Sequence, residues 1–99
     1  MNQIPSFMET LKKRDPEFFD LVIKVIDKAQ GEGVLDQKTK VLVQLALDTA
    51  LGHPEGVKAL SQRAKSLGAT EAEIVEILRL AFLVSGIPGI VTASSAFSV

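Results

Sequence analysis

The sequence predicts an all-α fold, a single-domain bundle of about five to six helices assembled as a homo-oligomer. Three observations carry this expectation. Apolar residues recur at helical spacing along nearly the whole chain, and no run of four or more residues alternates like a half-buried strand. Helix-start signals and terminating glycines come in matched pairs. The chain has 99 residues, room for one core, yet 46% of them are hydrophobic. That surplus of apolar side chain over interior predicts a surface covered by further copies.

The elements read in order. A first helix is predicted over Pro5 to Lys13. Asp15 then caps a second, with Pro16 at its first position and Glu17 complementing the helix dipole. Phe18, Val22, Val25 and Ala29 share its predicted inner face, widened by Phe19, Ile23 and Ile26, and Gly31 and Gly33 end it. Asp36 caps the third helix, which runs to about Leu51 with Gln37, Lys40, Gln44 and Asp48 as its polar stripe. Gly52 breaks it. His53 and Pro54 open the fourth, a poorer cap than Asp15-Pro16, with Val57, Leu60, Ala64 and Leu67 as the buried stripe and Gly68 as the stop. Thr70 and Glu73 form a T-x-x-E capping box for the fifth. From Ile74 to Val84 this helix carries only Glu76 and Arg79 as charges, so it is expected to be surrounded on nearly every side. Gly86 and Pro88 precede a small-residue tail helix, roughly Gly89 to Phe97. The expected organisation is an N-terminal helix or arm over 1–14 and a helical domain over 15–99.

Composition excludes several functions. Eleven basic and twelve acidic residues nearly cancel, and the aromatics are five Phe. A nucleic-acid partner, which requires a basic face and usually stacking rings, is therefore not expected. Lys12-Lys13-Arg14, followed by Asp15, reads as a solvated helix end. The start of the chain lacks an apolar run, and the longest apolar stretch has about half the length of a membrane span. The expectation is a cytoplasmic protein without a membrane partner. There is no cysteine and a single histidine, so thiol chemistry, disulfides and multi-histidine or cysteine metal sites are out of reach, and no metal is expected. Gly86-Ile87-Pro88-Gly89 lacks the spacing of a phosphate loop, and no cofactor is expected.

The ordered features nonetheless resemble the carboxymuconolactone decarboxylase family, which includes the alkylhydroperoxidase D-like proteins. The resemblance rests on Leu35-Asp36-Gln37-Lys38-Thr39-Lys40, an apolar helix, the Gly52 break, Leu67-Gly68-Ala69-Thr70-Glu71-Ala72-Glu73-Ile74, and the tail Ser85-Gly86-Ile87-Pro88-Gly89-Ile90-Val91-Thr92-Ala93, with Asp15-Pro16-Glu17-Phe18 as lead-in. It covers about residues 15 to 97 and implies a trimer or hexamer. The antioxidant members are expected to hold a glutamate, a Cys-x-x-Cys and a downstream histidine, so that a thiolate attacks peroxide, a second thiol resolves it, and the carboxylate and imidazole move protons. Carried over one position at a time, the glutamate falls on Val41, the two cysteines on His53 and Gly56, and the histidine on Leu60. All four differ. The decarboxylases are expected to keep the glutamate and histidine, so the resemblance predicts a fold and neither reaction.

Val41, His53, Gly56 and Leu60 are then the candidate pocket for a small, partly apolar metabolite, its carboxylate facing the helix start. His53 is the weak catalytic candidate, a base or ligand anchor against the plainer reading of an exposed turn residue. Asp48, one turn before the break, is able to face His53 but reads as solvated surface. Glu55 reads as a dipole partner that pairs with Lys58. Leu60 reads as core packing, and Thr92, Ser94 and Ser95 as close-packing small residues.

Overall fold

Six α-helices and a closing 3₁₀ turn make up the computed structural model, which describes residues 6–98. They are α1 (Ser6–Arg14), α2 (Pro16–Gln30), α3 (Gln37–Leu51), α4 (Pro54–Ser66), α5 (Glu71–Ser85), α6 (Ile87–Ala93) and the turn Ser94–Phe97. The all-α expectation holds, with no strand among the described residues.

Local chemistry sets the helix starts. Asp15 Oδ1 accepts from the Phe18 N–H at 3.1 Å, and Asp36 Oδ1 from the Thr39 N–H at 2.7 Å. The capping box is reciprocal: Thr70 N–H donates to Glu73 Oε1 at 2.8 Å and Glu73 N–H to Thr70 Oγ1 at 3.1 Å. Such caps each contribute on the order of 1 kcal/mol. Lys38 Nζ lies 3.0 Å from Glu73 Oε2 and so ties the start of α3 to that of α5. The tail departs from its predicted form. Its helix begins at Ile87, with Pro88 in the first turn where a missing N–H goes unused, and it tightens to 3₁₀ after Ala93. There Ser94 Oγ donates to Val91 O at 2.8 Å, the kind of local hydroxyl bond that competes with helical pairing.

The chain divides into two compact units, one reaching to Gly33 and the other starting at Val34. In the first, α1 and α2 pair, with Met8 and Phe19 buried and the Lys12 ammonium 5.7 Å from the Phe19 ring centroid. The inner face of α2 is rotated from its predicted position. Phe19 is buried and Val22, Ile23 and Ile26 are half-buried, while Phe18, Leu21 and Val25 stay exposed. Apolar residues occupy more than half of this helix's circumference, and periodicity alone does not say which side its neighbour takes.

In the second unit α3 packs against both α4 and α5, α6 meets α3 and α5, and the final turn closes on α4. Val41, Leu45, Val57, Ala64, Ala69, Ile74, Leu78 and Ala96 form the core, with Leu42, Leu60, Leu67, Ile77 and Ala93 packed around it. Three hydroxyl-bearing residues, Thr49, Ser61 and Thr92, are also buried in this unit. Thr49 Oγ1 donates to Leu45 O at 2.8 Å, and Ser61 Oγ donates to Ala96 O at 2.8 Å, fastening the chain's end to α4. Within the second unit the encirclement expected for α5 is not met: Leu80, Leu83 and Val84 remain 56%, 78% and 84% exposed.

Candidate functional site

The sharpest chemical feature of the second unit lies where α3 gives way to α4. Gly52 ends α3 with φ of +80°, a left-handed conformation that costs other residues roughly 1–2 kcal/mol. The turn this permits folds the next residue back, so that the His53 N–H donates to Asp48 O at 2.9 Å, five residues earlier. The main-chain bond also aligns the side chains of the same two residues. His53 Nδ1 sits 2.9 Å from Asp48 Oδ1. The imidazole is 58% exposed and the carboxylate 27%. Asp48 therefore does not stand free in solvent; it faces His53, the alternative that the sequence left second.

His53 occupies the N-cap position of α4, yet its side chain makes no cap hydrogen bond. Its ring is turned to Asp48 instead. Pro54 follows at the first helical position, Glu55 lies in the first turn and is exposed, and Gly56 comes next. A Cβ built on Gly56 would overlap the Asp48 Oδ2 and lie 2.8 Å from its Cγ. Glycine inside a helix costs about 1 kcal/mol relative to alanine. Here it leaves the space in which the carboxylate lies.

The four predicted site positions thus divide. His53 and Gly56 meet at the corner, one bonded to Asp48 and the other lying beneath its carboxylate. Val41, about two turns back along α3, is 3% exposed and belongs to the core, and Leu60 packs against that core half-buried. Asp48 completes the corner. One signal for it stands in the sequence: a glycine at the third position of a helix marks a close approach by some other group. Among the described residues no cluster of three metal-ligating side chains occurs, and no helix is long and apolar enough to cross a membrane.

Comparison with known proteins agrees with this architecture. The sequence model of the carboxymuconolactone decarboxylase family matches residues 16–98. Two uncharacterized proteins of Methanocaldococcus jannaschii are similar. MJ1511 is 30% identical over 90% of this chain and 83% of its own, and MJ0742 is 29% identical over 87% and 84%. Among solved structures, apo-lpg0406, a carboxymuconolactone decarboxylase family protein from Legionella pneumophila, superposes with a TM-score of 0.83 at 31% identity, over 92% of this chain and 81% of that one. A putative carboxymuconolactone decarboxylase from Burkholderia xenovorans gives 0.81 at 24% identity, over 94% and 77%, a likeness of fold alone.

Proposed function

The chain belongs to the carboxymuconolactone decarboxylase family, and from that premise we propose that it is a thiol-free, cytoplasmic member acting as a homo-oligomer, which binds or transforms a small, partly apolar metabolite by non-redox means at the α3–α4 corner. The Asp48–His53 pair carries this reading. It stands where the family resemblance places the first thiol, and an imidazole held by a carboxylate is a common device for moving protons or anchoring an acid. The start of α4 beside it favours a carboxylate on the ligand. With no cysteine in the chain, the family's peroxidase chemistry would need a thiol from elsewhere.

Exposed apolar stripes support self-association. Val43, Leu47 and Leu51 repeat every four residues on the side of α3 away from Val41, Leu45 and Thr49. Leu80, Leu83 and Val84 are exposed on α5, and beyond the break at Gly86 Ile87, Ile90 and Val91 are exposed on α6. Soluble monomers seldom leave contiguous apolar patches beyond roughly 300–600 Å².

A thermal-shift series with small, partly apolar carboxylic acids tests the ligand reading. At least one acid is expected to stabilise the wild type and not His53→Ala; an equal response in both removes His53 from the site. A second reading, an interaction module with a vestigial site, is supported by the burial of Val41 in the core and the packing of half-buried Leu60 against it. A full series without any stabiliser would favour it.

A further inference from the structure

We propose that Asp48 is a positioning residue that holds His53 in its Nδ1–H tautomer, leaving Nε2 as the ring's proton acceptor, and that the glycine at position 56 exists to admit the carboxylate. This deepens the functional reading above and rests on His53 being the working group there.

The tautomer follows from the partners. An ionised carboxylate only accepts hydrogen bonds, so the 2.9 Å contact between Asp48 Oδ1 and His53 Nδ1 requires the hydrogen on Nδ1. Free histidine side chains prefer the other form, with the hydrogen on Nε2. The carboxylate therefore selects a minority tautomer and aims its lone pair away from Asp48.

Three features hold the carboxylate in place. Its own backbone carbonyl accepts the N–H groups of both Gly52 and His53, which fixes the last turn of α3 against the start of α4. The carboxylate is mostly covered, at 27% exposure. On one flank it lies over Gly56, in the space any Cβ at that position would claim. The resemblance puts the family's second thiol at position 56, so the carboxylate stands in the volume that side chain would need. The corner is in this sense rebuilt around a different proton-handling pair.

The chemistry is a proton transfer with no redox partner. A proton leaving a bound molecule adds to the Nε2 lone pair. The resulting imidazolium keeps its Nδ1–H bonded to the Asp48 carboxylate, whose charge offsets the new positive charge. The same proton returns to product from Nε2, leaving both side chains as they began.

The chain's single histidine makes the test clean, because imidazole ¹⁵N spectra report His53 alone. With the ring neutral, the wild type is expected to show Nδ1–H as the majority form. Asp48→Ala and Gly56→Ala are both expected to lose that majority to Nε2–H. Gly56→Ala is the decisive variant because it retains both partners. Its clash is with the far end of a side chain that can swing aside, and alanine favours the helix. Its melting temperature should therefore match or exceed the wild type's, which keeps the test open should Asp48→Ala fail to fold. An Nε2–H majority in the wild type, or a wild-type tautomer persisting in both variants, overturns the proposal. The thermal-shift series is independent of this outcome. If no acid stabilises the protein while the tautomer behaves as expected, the ligand reading falls alone; a stabilising acid with an unmoved tautomer removes this proposal alone.

Discussion

The apolar face of α5 offers a direct test of self-association. Leu80 and Leu83 are 56% and 78% exposed and lie one turn apart on the side opposite Ile74, Leu78 and Ala81. Fully burying a leucine side chain contributes about 1.5–3 kcal/mol. Between 56% and 78% of each residue remains to be buried, and alanine would retain only part of that. The double variant Leu80→Ala/Leu83→Ala should thus forfeit roughly 2 kcal/mol of association per protomer. In a twofold interface both copies carry the change, giving about 4 kcal/mol, or on the order of a 10³-fold rise in Kd. Sedimentation velocity from nanomolar to high micromolar concentration measures this directly. Both substitutions are exposed and favour the helix, so the far-ultraviolet spectrum should keep its helical shape. A wild type that stays monomeric at micromolar concentration refutes the reasoning at its root. A double variant that dissociates over the wild-type range shows that α5 lies outside the interface.

The remaining expectations concern the scaffold beneath the site. Leu45, fully buried at the centre of the core, should cost about 2–5 kcal/mol when replaced by alanine, read from urea denaturation with an unchanged m-value. Ser61→Ala removes the buried tie to the Ala96 carbonyl, a loss of about 1–3 kcal/mol; amide exchange should quicken selectively in residues 94–97. The Thr39 N–H, the largest influence, and then the Thr39 hydroxyl hold the Asp36 carboxyl below its usual range. The Thr70 N–H and then Lys38 do the same for Glu73. A carboxylate that ionises more readily folded than unfolded stabilises the fold above the unfolded range and loses that effect as pH falls through its lower folded value. Melting temperature should therefore decline below about pH 4–5, where unfolded carboxyls begin to protonate. Asp36→Asn, which keeps the cap but does not titrate, should make the decline shallower.

How legible these features were depended on the range of the forces behind them. Asp15, Asp36, Thr70 and Glu73 act on N–H groups three residues away, so their helix starts could be read directly. Gly52 and Gly68 were equally readable, because a left-handed φ favours glycine whatever surrounds it. The face of α2 was not, since its apolar residues wrap most of the helix and only the neighbour selects a side. Ser61 and Thr49 do not read as core residues, because polarity argues for the surface until a buried carbonyl supplies the partner. At the site, His53 and Gly56 stood out through the family's spacing. Asp48 reads as solvated surface in the sequence, for nothing in a polar stripe reveals what faces its last member.

By itself, the sequence determined the helical class, the order of the helices, the family, and the absence of any thiol on which the family's redox chemistry depends. These are properties of local propensity, capping and composition, and they hold before the helices pack. The tertiary structure decided that the histidine at the missing thiol's place has a carboxylate bound to it. That pairing required a left-handed turn to bring position 53 back onto position 48, and a helix with a glycine at 56 to lie beneath the carboxylate. Hydrogen-bond geometry of this kind is settled within a few tenths of an ångström, a precision that periodicity in a sequence does not carry.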